Sequence, residues 1–146
     1  MRFFFYGTLM DEDVRRAVLG VRSLAPIEKA ALDGWRRVKM AGVSYPMIVR
    51  ARNHRVEGLL MHGLDGRARD LLQRYEGDEY AMLGVEVKTG DATVVTAKMF
   101  VPRPGLTVRG RGPWDLETWR RRHKRRFLGG LQFIGKPLPA ALLDRR

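Results

Sequence analysis

The sequence contains no cysteine among its 146 residues. This absence excludes disulfides, thiolate metal sites and a thiol nucleophile. It fits a reducing compartment, so we expect a cytoplasmic protein. No apolar run approaches the roughly 18 residues that a membrane-spanning helix needs, and we expect no membrane partner. The apolar start Met1–Phe5 is too short for a signal peptide, and Asp11, Glu12 and Asp13 follow where a cleavage region would lie.

The sequence also lacks the motifs that mark metal, nucleotide and serine-nucleophile sites. His54, His62 and His123 are scattered and no HExxH motif is present, so a zinc site is not expected. The phosphate-loop pattern GxxxxGKS/T is missing, and neither Ser23 nor Ser44 lies in a GxSxG motif. We therefore expect neither a metal nor another cofactor.

Positive charge is concentrated in the C-terminal third of the chain. The net charge is +12, and residues 103–146 contribute +9 of it, with 12 Lys or Arg against three acids. A basic surface of this kind attracts nucleic acid or another anionic surface. The spacing predicts a helix from about Asp115 to Leu128 with one apolar and one basic face. The apolar face holds Leu116, Trp119, His123 and Phe127, and the basic face holds Arg120, Arg121, Arg122, Lys124, Arg125 and Arg126.

A charge run on one helix face is more often solvated than functional. Trp119 and Phe127 fall on the apolar face instead of alternating with the arginines, as a base-stacking platform would require. We interpret His123 as a packed, hydrogen-bonded residue. A nucleic-acid or anionic-surface binding module built on Trp114–Arg126 therefore stays open as an alternative but is not favoured.

Short helices are predicted between many strands, which favours an α+β fold over alternating βαβ units. Asp11 is placed to cap a helix that runs to about Leu19 and stops at Gly20. A second helix opens at Asp65 and ends at Glu76. The predicted strands are 2–6, 24–32, 35–40, 47–50, 55–62, one around 85–87, and 93–101, with a break at Asp33-Gly34 between the second and the third.

Glu76 is the strongest candidate for a catalytic residue. It lies beside Leu72 and Tyr75, which belong to the predicted buried stripe of the second helix, so it should sit at the edge of that stripe. It also ends the helix immediately before Gly77, where the negative end of the macrodipole disfavours a carboxylate. Lys or Arg at position 76 would stabilise the end of this helix better than a carboxylate. A carboxylate in this place fits a group that takes and returns protons.

The second candidate element is the turn Tyr6-Gly7-Thr8-Leu9, which follows the apolar strand Phe3-Phe4-Phe5. Backbone N–H groups in a turn that contains glycine can face an anionic ligand, and Thr8 can add a hydroxyl donor. Such a turn beside one carboxylate can run acid–base chemistry without a metal or cofactor. We predict that this turn and Glu76 line one pocket.

The two runs Phe5-Tyr6-Gly7-Thr8-Leu9 and Tyr75-Glu76-Gly77-Asp78-Glu79-Tyr80 resemble the gamma-glutamylcyclotransferase family, in particular its avirulence-induced-gene-like branch. The resemblance extends over nearly the whole chain. It implies a single domain over residues 1–146, with a basic C-terminal helix and tail at about 115–146. The implied fold is α+β, a mixed-strand, partly closed β-barrel with short helices packed outside.

The resemblance also implies roles for individual residues. The turn would hold the free α-carboxylate of a γ-glutamyl group through backbone amides, and Glu76 would be the general acid and base. Tyr45, followed by Pro46, would help to line the pocket, and Tyr80 would orient the substrate or Glu76. The implied substrate-binding residues are Tyr6, Gly7, Thr8, Leu9, Tyr45 and Tyr80.

Two positions depart from the family pattern. The family often has a basic residue shortly after the tyrosine at position 80, where this chain has Ala81-Met82-Leu83. The later strand often carries a tyrosine where Phe100 stands, so a hydroxyl is missing. Both departures bear on the substrate and on whether the activity is kept.

The implied reaction is the cyclisation of a γ-glutamyl group to 5-oxoproline with release of an amine or amino acid. The substrate's own α-amine is the nucleophile, so Glu76 needs only to move a proton. The expected partner is a small γ-glutamyl substrate, and the expected assembly is a monomer or weak homodimer. The alternatives are a family scaffold without activity, an enzyme that breaks an ε-linked glutamyl-lysine or other isopeptide, and the basic binding module.

Overall fold

In the computed structural model, five strands form a closed barrel with helices outside it. The structure describes residues 1–103, 110 and 112–134, and for residues 132–134 it describes the backbone alone. The strands are β1 Phe3–Phe5, β2 Ile27–Lys39, β3 Pro46–Met61, β4 Tyr80–Thr89 and β5 Val94–Pro102. The helices within the described residues are α1 Glu12–Leu19, α2 Gly66–Glu76, α3 Leu116–Arg122 and α4 Lys124–Ile134. The predicted α+β barrel is confirmed. Pro104 and the C-terminal tail lie outside the described residues.

The barrel follows the order β1-β3-β2-β4-β5 and mixes strand directions. The antiparallel β2–β3 and β4–β5 pairs supply most of its wall. β1 runs antiparallel to β3 and parallel to β5, and the pair Phe3↔Lys98 closes the ring. β2 meets β4 only near Ala30 and Ala31, which pair with Thr89 and Lys88.

The expected break at Asp33-Gly34 is wrong, because β2 continues through it. Gly34 has a φ of 85°, and the register with β3 shifts between Asp33 and Trp35, which is a bulge. The predicted strands 47–50 and 55–62 are likewise one strand, although Asn53 has a φ of 65°. Each strand continues because its partner continues beside it, and local turn residues do not report that pairing.

The predicted C-terminal helix is two helices, with His123 between them. His123 has a φ of −129° and is exposed, so its predicted packing is wrong. Trp119 and Phe127 do pack, with ring centroids 5.4 Å apart in an edge-to-face arrangement. The distorted backbone at His123 removes its side chain from the face that those two aromatic residues share.

Two hydrophobic clusters meet at β1. Phe4 belongs to a cluster with Leu32, Trp35 and other strand residues. Phe3 and Phe5 belong to another cluster, which includes helix residues. Side chains alternate along a strand, so β1 is buried on both faces and reads as a continuous apolar run. The chain that leaves β1 therefore starts from a fixed position.

Candidate active site

One pocket opens where β1 ends. Glu76 and the whole predicted turn line it, so the structure brings together the two elements that the sequence singled out. Tyr45 and Pro46 line it as well, while Tyr80 does not. The lining residues are Phe4, Phe5, Tyr6, Gly7, Thr8, Leu9, Tyr45, Pro46, Glu76 and Phe100.

Glu76 is the charged residue of this lining. It is the last residue of α2, only 8 % of it is exposed, and Gly77 turns the chain with a φ of 90°. The helix begins at the cap Asp65, whose side chain accepts a hydrogen bond from the Ala68 amide. The predicted start and stop of this helix are therefore correct, and together they place Glu76 at the pocket.

The turn after β1 is a short 3-10 turn, Thr8–Met10. The Met10 amide donates to the Gly7 carbonyl at 2.9 Å, and the Asp11 amide donates to the Thr8 carbonyl at 3.0 Å. The amides before Met10 begin the turn and so have no partner within it. Gly7 has a φ of −128°, which other residues can also adopt, so the backbone angle φ does not require glycine here. Glycine instead leaves room for Pro46, because a Cβ at this position would lie 3.2 Å from the Pro46 ring.

All four tyrosines of the chain, Tyr6, Tyr45, Tyr75 and Tyr80, are buried around Glu76. Burial raises the pKa of each phenol, and the negative charge of Glu76 raises it further. The four hydroxyls therefore stay protonated at neutral pH. They are neutral hydrogen-bond donors beside a carboxylate.

Hydrogen bonds tie these tyrosines to the pocket wall. The Tyr6 hydroxyl donates to the Phe100 carbonyl at 2.7 Å. The Tyr75 hydroxyl lies 2.6 Å from Thr8 Oγ1. A hydrogen bond with Tyr80 offsets part of the rise that burial and Glu76 cause in the pKa of Tyr45. Tyr80 is therefore hydrogen-bonded to a residue of the pocket lining without lining the pocket itself.

The sequence does not predict the contact between Tyr75 and Thr8, and Phe100 contributes to the site through its backbone. The spacing predicts Tyr75 as part of a buried stripe, and its position next to Glu76 is the signal that points to a place in the site. Phe100 lacks the family's hydroxyl, but its backbone carbonyl accepts the bond from Tyr6. Met82 pairs with Phe100 across the β4–β5 ladder and is 38 % exposed, outside the pocket lining.

Asp11 directly follows the turn Thr8–Met10 and links that turn to the helices. Its carboxylate caps α1 by accepting from the amides of Asp13 and Val14. It is only 1 % exposed and lies 2.8 Å from Arg120 Nε and 2.9 Å from Lys124 Nζ. Burial opposes ionisation of Asp11, but the hydrogen bonds from these two cations outweigh it and lower its pKa.

Two of the basic residues of α3 and α4 are therefore engaged in ion pairs within the protein. Arg120 and Lys124 hold Asp11, and they also pair with Glu117 and Asp13, respectively. The remaining basic residues of this segment are exposed. These are Arg121, Arg122, Arg125 and Arg126.

Two features are absent from the part of the chain that the structure describes. Among those residues, no group of three or more His, Asp or Glu is arranged to hold a metal ion. Within the same part of the chain, no helix has the length and apolar character needed to cross a membrane.

The closed five-strand barrel with helices outside it is the gamma-glutamyl cyclotransferase-like fold. The family described as "Gamma-glutamyl cyclotransferase, AIG2-like" matches residues 3–121, so the chain belongs to that family. The resemblance drawn from the two short runs is confirmed.

Its relatives of known sequence and structure agree with this assignment. The chain is 30% identical to AIG2-like protein B of Arabidopsis thaliana over 129 residues, covering 86% of this chain and 72% of that protein. A solution structure of an Arabidopsis thaliana protein matches with a TM-score of 0.68 at 27% identity, covering 89% and 87% of the two chains. A structure titled "Gamma-glutamyl cyclotransferase" matches with a TM-score of 0.59 over 96% and 90% of the chains. At 13% identity, that last likeness concerns the fold.

Proposed function

We propose that this protein converts a γ-glutamyl compound into 5-oxoproline and a free amine, with Glu76 as the proton shuttle. The observation that carries the proposal is the position of Glu76 in one pocket with the turn Tyr6–Leu9. A carboxylate and a set of backbone amides are the two parts that this cyclisation needs from a protein. Family membership supports the same class of chemistry.

The turn is proposed to bind the substrate's α-carboxylate. The amides of Gly7, Thr8 and Leu9 are the donors, and the pocket encloses about 30 Å³. At roughly 10–15 Å³ for each water, this space suits a small polar head. If Tyr75 donates to Thr8 Oγ1, the Thr8 hydroxyl can in turn donate to the carboxylate.

The proposed reaction moves one proton and exchanges one carbon–nitrogen bond for another. The substrate's α-amine, in its neutral form, attacks the γ-carbonyl to close a five-membered ring, and Glu76 takes one of the two protons of that amine. The bond from that carbonyl carbon to the leaving nitrogen then breaks, and Glu76 returns the proton to this nitrogen. Donors that face the developing oxyanion lower the barrier. No water, metal or protein nucleophile is consumed.

The charge of the pocket lining supports a preference among leaving groups. The chain has 28 Lys and Arg, yet none of them is among the described residues that line the pocket. A carboxylate next to the scissile bond would therefore meet the carboxylate of Glu76 and no Lys or Arg from the described part of the lining. We propose that simple amines and side-chain-linked amines are better leaving groups than α-amino acids.

A matched pair of substrates tests the proposal. γ-Glutamylethylamide and γ-glutamylalanine differ only in the carboxylate of the leaving group. We expect equimolar 5-oxoproline and amine from the first and a lower kcat/KM for the second, measured by chromatography with mass detection. Release of glutamate would indicate hydrolysis instead of cyclisation. Absence of product from these and from ε-(γ-glutamyl)lysine would contradict the proposed activity.

A further inference from the structure

The buried side chain of Arg15 binds the back of the candidate substrate turn. Arg15 lies in α1, is only 8 % exposed, and does not line the pocket. Its Nη1 donates to the Leu9 carbonyl at 2.9 Å and to the Met10 carbonyl at 2.7 Å. One guanidinium nitrogen therefore holds two successive carbonyls at the end of the turn.

Burying Arg15 in this way costs free energy, so stabilisation of the helix does not by itself explain the arrangement. Among the ion pairs of the described residues, none includes Arg15, although Asp11 and Glu12 are close in sequence. Burial lowers the pKa of Arg15, the negative charges of Glu12 and Asp11 offset part of that effect, and a guanidinium stays protonated in proteins. A buried cation without an ion pair costs free energy that an apolar residue would not. The neighbouring Arg16 shows the ordinary alternative, an exposed side chain paired with Glu12.

The positive charge of Arg15 lies behind the turn that lines the pocket, where it can influence ligand binding. Gly7, Thr8 and Leu9 line the pocket, whereas the carbonyls of Leu9 and Met10 are held by Arg15 on the protein side. A hydrogen-bonded cation fixes the orientation of these peptide groups and polarises the bonds of the turn. A positive charge behind the turn also favours a negative charge in front of it.

We propose that Arg15 is a positioning residue that makes the turn selective for a carboxylate. It acts through the peptide groups of the turn and does not touch the ligand. This inference rests on the proposed role of the turn in holding the α-carboxylate. It adds that the cation responsible for anion binding lies behind the turn, outside the pocket lining.

The test compares a carboxylate with its neutral amide as ligands of ¹⁵N-labelled protein. 5-Oxoproline and 5-oxoprolinamide are titrated separately while the amide resonances of Gly7, Thr8 and Leu9 are followed by NMR. In the wild type, the carboxylate is expected to bind more tightly than the amide. In Arg15→Gln, which keeps a hydrogen-bond donor but loses the charge, this preference is expected to fall about tenfold, the size of a partly buried charge effect on peptide dipoles.

Two more variants separate positioning from general stability. Arg15→Lys keeps the charge, but its ammonium group does not reach as far as the Nη1 atom that holds both carbonyls, so the preference is expected to fall about threefold, within the range of charge effects on peptide dipoles. It serves as the second test if Arg15→Gln does not fold. Arg16→Met changes an exposed arginine of the same helix, and its preference should equal that of the wild type.

Each result decides the proposal. An unchanged carboxylate preference in either folded Arg15 variant would overturn it, as would an equal loss of affinity for both ligands. A wild type whose turn amides do not respond to the carboxylate would overturn it as well. A wild type that binds the carboxylate but releases no 5-oxoproline would reject the proposed activity alone, because the binding comparison does not need turnover.

Discussion

The hydroxyls of Thr8 and Tyr75 lie 2.6 Å apart, although 67 positions of sequence separate them. Thr8 belongs to the turn that follows β1, and Tyr75 immediately precedes Glu76 at the end of α2. This hydrogen bond joins the proposed carboxylate-binding element directly to the helix that carries the proposed base. Both residues are buried, so water does not compete for the bond. The distance between the two halves of the pocket depends on it.

Removing that bond should damage activity more than stability. Tyr75→Phe keeps the ring and deletes the hydroxyl, and we expect a loss of about 0.5–1.5 kcal/mol in the free energy of unfolding. The Thr8 hydroxyl then loses its fixed orientation, so KM for γ-glutamylethylamide should rise. Urea denaturation and initial rates measure the two effects. A matched Thr8→Val variant should show a similar KM, and a wild-type KM in both variants would contradict the role of the bond.

Replacing the carboxylate should abolish turnover and leave the fold intact. Glu76→Gln preserves shape and one acceptor oxygen but cannot collect and return a proton at neutral pH. General acid–base groups contribute about 10²- to 10⁴-fold, and we expect a loss of that order in kcat. The melting temperature should be unchanged or slightly higher, because the negative end of α2 disfavours a charge at this position.

The control for this variant is Glu86→Gln, which changes an exposed glutamate of β4 outside the pocket lining. It should retain wild-type kcat and melting temperature. Full activity in Glu76→Gln would show that Glu76 is not the proton shuttle. Because both variants lose one negative charge, a general charge effect would appear in both.

The ion pairs of Asp11 predict a pH-dependent contribution to stability. The pKa of Asp11 is lowered in the folded state, so its contribution is full above the unfolded-state pKa of about 4 and falls as the pH drops through the lower folded-state value. Asp11→Asn keeps the helix cap and removes the charge. We expect it to lower the free energy of unfolding by about 1–3 kcal/mol at pH 7.

The difference between wild type and Asp11→Asn should shrink when urea denaturation is repeated at pH 3. An equal difference at both pH values would show that Asp11 contributes through packing and not through its charge. Asp13→Asn is a useful comparison, because Asp13 is half exposed and pairs with Lys124 and Arg16 at the surface. Its effect should be smaller at either pH.

Nucleic-acid binding by the C-terminal helices is expected to be weak. Arg120 and Lys124 are engaged by acids, which leaves fewer cations for phosphates. Binding to mixed DNA or RNA should be detectable at low salt and vanish at physiological salt, as measured by fluorescence anisotropy. Sub-micromolar binding that survives physiological salt, and is lost when Arg121, Arg122 and Arg125 become alanine, would favour a binding module instead.

Local signals in the sequence were enough to place the candidate base. The caps Asp11 and Asp65, and the glycine stop at Gly77, act within a few residues of the helix end that they define. The position of Glu76 at the last turn of α2 therefore follows from neighbouring residues. The same is true of the turn after β1, because the apolar run before it and the glycine within it are adjacent in sequence.

Strand continuity and the use of individual side chains were decided by tertiary structure. Gly34 suggested a strand end, but pairing with β3 carries β2 through it as a bulge. The spacing within α2 predicts Tyr75 as a core residue, and nothing in the sequence predicts a role for Arg15. Only the folded chain brings Tyr75 to Thr8 and buries Arg15 behind the Leu9 carbonyl. Such contacts depend on where distant elements pack, and the spacing of residues within one helix does not contain that information.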